Sequence, residues 1–265
     1  MGKPKVAVHK FSSCDGCQLA LLNLGEPLLQ VAQAVEIVHF LEAGASDPDA
    51  KVDIAFVEGS ISTHEEAERI QQVRANSAYL VTIGACATSG GLQGLRNLND
   101  SEAQWTEAIY AQPQFIDSLK HASPIRDHVK VDLELWGCPI NTRQMLAAVA
   151  ALLHGVPPVI DNDKLCMDCK RKQVVCTMVT KQEPCMGPVT HTGCGALCPS
   201  FGRDCYACYG PSENPNGAAL AQRFAGFGLL PEQVARRFLF VHSQAGPFHE
   251  TGTTVYPEGL YRSDD

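Results

Sequence analysis

The first 155 residues alternate between two hydrophobic rhythms. Short, apolar, β-branched runs recur at PKVAVHKF (4–11), VEIVHF (35–40), VDIAFVEG (52–59), AYLVTIGA (78–85) and VKVDLELWG (129–137). Most end in glycine or a polar turn, which predicts five buried strands. Helix-period stretches lie between them: QLALLNLGEPLLQVAQA, kinked at Pro27, then HEEAERIQQVRANS, with NTRQMLAAVAALLHG after the last strand. Parallel pairing needs crossover connections of this length, and helices then cover both sheet faces. The pattern predicts an α/β chain with a doubly wound parallel sheet. The connection from 86 to 128 is assigned no element.

Beyond residue 155 the rhythm stops. HGVPPVIDNDKL (154–165) reads as a linker, and residues 166–216 are rich in Gly, Pro and Cys with little apolar period. Such a segment buries too little carbon to fold alone, so metal is expected to hold it together. Two short helices are predicted near 217–226 and 231–241, followed by a polar tail. The expected division is a sheet domain over 1–155 and a loop-rich domain over 156–265.

Charge and composition remove several classes of function. A formal charge of −8 does not provide the basic face that phosphate neutralisation requires, so no nucleic-acid partner is expected. The longest purely apolar run, Met145 to Leu153, is nine residues, too short to span a bilayer. The first residues, MGKPKVAVHKF, show no apolar signal core, and Val6 stands where a myristoylation signal at Gly2 would want Ser or Thr. The expected location is the cytoplasm.

A reducing compartment changes the meaning of the twelve cysteines, because six disulfides would not persist there. Three C-x2-C pairs stand in polar or Gly-rich settings: Cys14/Cys17, Cys166/Cys169 and Cys205/Cys208. Core thiols would be scattered singly, so metal binding is the reading, and twelve is three sets of four. Cys14 and Cys17 follow the first predicted strand, Cys86 ends the fourth and Cys138 ends the fifth. In an open α/β sheet those carboxyl ends share one edge, where ligands bind at a switch point. Four thiols distant in sequence are therefore expected to converge there. Zinc remains open at this point, although its four-thiolate sites usually pair two C-x2-C knuckles. Single ligands from separate loops, with Cys-Pro steps at Cys138-Pro139 and Cys198-Pro199, better suit iron–sulfur cubes. His191, near Cys194, is given a surface role, and the Glu65-Glu66-Ala67-Glu68 run is read as a helix start. SSCDGCQ lacks a phosphate-cradling glycine pattern, and GACATSGGLQG does not match a dinucleotide fingerprint.

SSCDGCQ (12–18), EGS (58–60), GACA (84–87) and GCP (137–139), with Cys185-Met-Gly-Pro, Cys194 and the closing pair at 205 and 208, resemble the small subunit of nickel–iron hydrogenases. The likeness covers roughly residues 5 to 210. It implies a flavodoxin-like domain holding a proximal cluster through Cys14, Cys17, Cys86 and Cys138, and three [4Fe-4S] clusters in all. It assigns a distal cluster to Cys166, Cys169, Cys176 and Cys185, and a medial one to Cys194, Cys198, Cys205 and Cys208. The nickel–iron centre would belong to a separate large subunit, leaving this chain as the oxidoreductase's electron wire.

Departures from that pattern narrow the expectation. There is no twin-arginine signal, Cys166 stands where membrane-bound members commonly carry histidine, and Cys198 supplies a fourth medial thiol they commonly lack. Leu19 occupies the position of a glutamate usual in the first loop, which removes a proton-relay role there. The combination resembles the cytoplasmic, pyridine-nucleotide-linked hydrogenases and sulfhydrogenases, with flavin and iron–sulfur NAD(P)-reducing partner subunits. Two other readings stay open: the small subunit of a quinone oxidoreductase, expected to carry the first quartet alone, and a zinc-stabilised scaffold.

Overall fold

The computed structural model describes residues 2–98 and 102–260. Its first half runs β1 (Lys5–Lys10), α1 (Gly16–Leu22), α2 (Glu26–Ala34), β2 (Glu36–Phe40), β3 (Ala45–Ser46), β4 (Val52–Glu58), α3 (His64–Ala75), β5 (Ser77–Ile83), α4 (Gly84–Ser89), α5 (Glu102–Ile109), β6 (Leu133–Leu135) and α6 (Thr142–Leu153). The strands form one sheet in the order β3-β2-β1-β4-β5-β6, parallel except where β3 closes antiparallel on β2. Apart from β3, this is the flavodoxin-like order, with its switch point between β1 and β4. Val6, Val8, Ile54, Phe56, Val81 and Ile83 bury one face against α1 and α6. Ala7, Ala55, Val57 and Leu80 bury the other against Ile70 and Val73 of α3.

The differences from the sequence pattern have local causes. Residues 18–34 form two helices instead of one kinked one: Gly25 turns at φ 66 ahead of α2, a conformation favouring glycine, and Pro27 sits in the first turn. Only 133–135 of the fifth predicted strand pairs. Within 86–128, α4 starts directly at the end of β5, a 3-10 stretch follows over Gly91–Leu98, and α5 comes next.

The second half carries α7 (Leu165–Arg171), α8 (Thr177–Thr180), α9 (Leu197–Ser200), α10 (Gly217–Ala225), α11 (Pro231–Phe238) and α12 (Gly246–Val255). The expected polar tail therefore contains a ten-residue helix. α12 packs on α11 and α10, with Phe248 edge-on to Phe238 at 5.9 Å and Phe224 6.4 Å from Phe238. These aromatics share a core with Leu165, Met186 and Val189, into which Cys185 and Cys205 are also packed. The cysteine-rich loops thus rest on a three-helix apolar floor, which supplies carbon burial that residues 166–216 lack by themselves.

Candidate iron–sulfur sites

At the carboxyl edge of the sheet the chain turns sharply after β1. Asp15 adopts φ 63 and pairs with Lys10 at 2.6 Å, so the C-x2-C turn leads straight into α1. Glu58, at the end of β4 and only 2% exposed, fixes that turn. Its carboxyl group accepts the Cys17 N–H (3.0 Å), the Gln18 N–H (3.3 Å) and the Gln18 side-chain amide (2.8 Å). Glu66 caps α3 reciprocally with Thr63 and accepts the Ser12 hydroxyl at 3.0 Å, tying the helix start to the same loop. Cys86 enters on α4, and Cys138 on the turn after β6, where the Gly137 carbonyl accepts the Ala85 N–H at 2.7 Å.

Glycine makes room for the sulfurs. Gly84 sits at φ 86, and a Cβ there would fall 2.4 Å from the Cys17 sulfur; one on Gly91 would fall 2.7 Å from that of Cys86. Burial first, and then neighbouring acidic groups, raise these thiols. Cys86 is pushed up to about 12 by burial, with Cys138 and Cys14 adding to the rise. Cys17 rises further, through burial and Glu58, and Cys138 rises through burial and Cys14. The four cysteines thus interact as one group. Cys14 and Cys138 open it to the surface, where Leu19 is also exposed.

The second group is built by α7, α8 and the loop before Gly187. A Cβ on Gly187 would lie 3.5 Å from the sulfurs of both Cys166 and Cys185, which places those two side by side. Cys169 is pushed up to about 11 by burial and then by Cys166, Cys185 and Cys176. Arg171 holds the loop by pairing with Asp163 and with Asp168 at 3.2 Å. In the third group, Ala196 and Ala207 take left-handed turns beside Cys198 and Cys208. Cys208 is pushed up to about 11 by burial and then by Cys194, Cys138 and Cys198, and Cys198 rises through burial and Cys194.

Two links run between these sets of thiols. Cys208 of the third feels Cys138 of the first, and the Cys205 N–H points at the Cys185 sulfur of the second at 3.3 Å. Thiols near the end of the cysteine-rich segment thus stand close both to the sheet-edge set and to Cys185.

All twelve sulfurs are free thiols. Reactive cysteines have lowered pKa values, and every shift resolved for these cysteines is upward and led by burial, which argues against activated nucleophiles. Among the described residues, no three His, Cys, Asp or Glu side chains close on one point as ligands of a single ion do. Tetrahedral zinc would draw sulfurs to about 3.8 Å of one another. The donors are all thiols, and glycine clears space beside those of Cys17, Cys86, Cys166 and Cys185, a donor set that fits an iron–sulfur cluster.

Three supporting residues carry no metal-ligand pattern in the sequence: Glu58, Glu66 and His242. His242, fully buried, is held near pKa 4 by burial and so is neutral. Its Nε2 donates to the Cys208 carbonyl at 2.9 Å, leaving Nδ1 to accept from Ser89 at 2.6 Å. It thereby joins α4, which carries Cys86, to the third group, and its ring lies 5.2 Å from that of Trp136. His191 is half-buried, edge-on to Trp136 at 6.4 Å, rather than a surface residue.

A flavodoxin-like sheet with thiols along its carboxyl edge, continued by two further thiol groups, defines an iron–sulfur subunit of an oxidoreductase. Residues 14–152 match the family described as NADH ubiquinone oxidoreductase, 20 Kd subunit. The chain is 34% identical over 234 residues to Sulfhydrogenase 2 subunit delta of Pyrococcus furiosus, covering 88% of this chain and 97% of that one. It is 30% identical to a subunit of the F420-non-reducing hydrogenase (vhu) of Methanocaldococcus jannaschii, covering 87% and 92%. A solved NAD+-reducing [NiFe]-hydrogenase in its H2-reduced state contains a chain that superposes with a TM-score of 0.54 at 27% identity, covering 60% of this chain and 96% of that one. The protein belongs to the 20 Kd subunit family, among the small subunits of nickel–iron hydrogenases. The family match ends inside the sheet half and the NAD+-reducing chain covers 60% of this one, whereas the sulfhydrogenase and F420-non-reducing hydrogenase subunits cover 88% and 87% of it.

Proposed function

We propose that this chain is the electron relay of a cytoplasmic, NAD(P)-linked nickel–iron hydrogenase, carrying three [4Fe-4S] clusters. Cys14, Cys17, Cys86 and Cys138 hold the proximal one, Cys194, Cys198, Cys205 and Cys208 the medial one, and Cys166, Cys169, Cys176 and Cys185 the distal one. The observation that carries this reading is the pair of links between the thiol sets, through Cys138/Cys208 and Cys205/Cys185. Bound clusters supply one-electron transfer, and the chain's own residues set their places. Glu58, Gln18 and Gly84 shape the first seat, and His242 ties the first seat to the next. Residues 1–155 act as the proximal domain and 156–265 as the domain of the other two.

The exposed edge at Cys14, Cys138 and Leu19 is the natural face for the large subunit, which would shield it from oxygen and solvent. The NAD(P)-reducing flavin and iron–sulfur partner is supported by the NAD+-reducing enzyme among the structural neighbours. Metal analysis of the anaerobically purified complex should give about twelve iron and about twelve sulfide for this chain, from three cubes of four, together with hydrogen-dependent reduction of NAD or NADP. About four iron, or stoichiometric zinc with no visible absorption, would overturn the reading.

Cys198→Ala tests the medial seat. Three thiols remain, so the oxidised protein should lose one iron there and show a three-iron resonance, with a raised potential because ligation and net charge set it. Unchanged spectra for every cluster would remove Cys198 from the ligand set.

A further inference from the structure

We propose that Tyr209 is a positioning residue for electron transfer between the first and third seats: its ring fills the space between Cys138 and Cys194 and keeps water out of it. This role rests on the relay reading above and adds the residue on which the step between those two seats depends. Tyr209 is 7% exposed, and its ring lies against the backbone of two glycines. A Cβ on Gly193 would fall 2.3 Å from Tyr209 Cε1, and one on Gly137 would fall 3.0 Å from its Cζ. Gly137 immediately precedes Cys138 of the first group, and Gly193 immediately precedes Cys194 of the third. One ring therefore packs against the approach to a thiol of each group. Burial first, and then the thiols of Cys194, Cys208, Cys17 and Cys138, raise the Tyr209 hydroxyl, which stays a neutral phenol beside both.

Two further contacts hold this junction together. The Asn141 side chain, just beyond Cys138, donates to the Gly193 carbonyl while its oxygen caps α6 by accepting from the Arg143 and Gln144 N–H groups. Gly210 lets the turn after Tyr209 press on Trp136, since a Cβ there would fall 2.2 Å from the indole ring. Tyr209 also lines an open cleft of about 350 Å³, together with Trp136, Gln144 and His191. The ring thus stands between that cleft and the thiols. During hydrogen oxidation one electron leaves the first seat and reduces the third, with no bond made and no proton moved. Solvent exposure helps set a cluster's potential, and the shell around a metal site controls solvent access. The reduced state carries one more negative charge, which water stabilises, so a breach in this wall raises the potential of the seat it wets.

The test uses the intact complex, purified anaerobically, with Tyr209→Ala and Tyr209→Phe. Redox titration followed by electron paramagnetic resonance reads the potentials of the first and third seats. Deuterium coupling after exchange into D2O reads the water beside them. Alanine should shift the third-seat potential upward and strengthen the deuterium coupling there. It should also lower hydrogen-dependent NAD(P) reduction, relative to hydrogen–deuterium exchange, by about tenfold. Phenylalanine keeps the ring and should return all three values to near the wild type. An alanine variant with full iron, unchanged potentials and unchanged deuterium coupling overturns the inference and leaves the relay standing. So does a phenylalanine variant that shifts as far as alanine, because the hydroxyl and not the ring would then matter. If alanine loses iron, Tyr209→Leu takes its place under the same readouts. Loss of iron there too makes Tyr209 a support of the fold and overturns the inference. A wild-type complex with no cluster signal at the first or third seat removes the relay reading itself, and this inference with it.

Discussion

Cys86→Ser is expected to abolish hydrogen-dependent NAD(P) reduction while the large subunit keeps its nickel. Cys86 belongs to the first group, where burial and the thiols of Cys138 and Cys14 act on it together. Gly91 is pressed against its sulfur, so the shorter hydroxyl of serine cannot reach the same point. A relay with its first seat broken passes nothing onward, whatever the later seats hold. Cys169→Ser supplies the contrast, because it alters only the outermost group. It should depress NAD(P) reduction strongly and leave hydrogen–deuterium exchange near the wild-type rate, since exchange needs no export of electrons. If Cys169→Ser assembles with its partners and reduces NAD(P) at the full rate, the wire does not pass through that group.

Glu58→Ala should be the most damaging change outside the cysteines. It strands three buried donors, the N–H groups of Cys17 and Gln18 and the Gln18 amide, each of which then costs about 1–3 kcal/mol. A loss of about 3 kcal/mol lowers the apparent melting midpoint of a chain this size by about 6–12 °C. The C-x2-C turn would also lose its anchor, so iron in the first seat should fall. Glu58→Gln keeps one acceptor oxygen in place and should recover part of both. An alanine variant that melts with the wild type and retains all its iron would show that β4 does not position this loop.

Most of the sheet was legible because β1, β4 and β5 are buried on both faces, and such strands read as unbroken apolar runs whatever surrounds them. β3 was not legible, since two residues cannot show a period. α12 was hidden for a different reason. It touches the core through Phe248 and Gly252, and a Cβ at Gly252 would fall 2.4 Å from Leu239. A helix that packs through the absence of a side chain has no apolar stripe to read.

The thiols were visible because their chemistry is carried by residue type and their convergence by the parallel sheet. Glu58, Glu66 and His242 were not, because a buried carboxyl group that accepts backbone N–H bonds looks, in sequence, like any strand-end or helix-start glutamate. His242 stands in a stretch of polar residues, and only the fold reveals that it reaches both Ser89 and Cys208. The links between the thiol sets were also beyond spacing alone. That Cys208 is influenced by Cys138 and that Cys205 lies beside Cys185 comes from the fold of the cysteine-rich loops rather than from sequence order.

Diffraction from anaerobic crystals of the complex, collected on both sides of the iron absorption edge, tests the relay most directly. The account predicts three four-iron peaks in this chain, with the one framed by Cys194, Cys198, Cys205 and Cys208 lying between the other two. A single iron peak at the sheet edge, a zinc signal in any of the three thiol groups, or a chain of peaks in another order would contradict it.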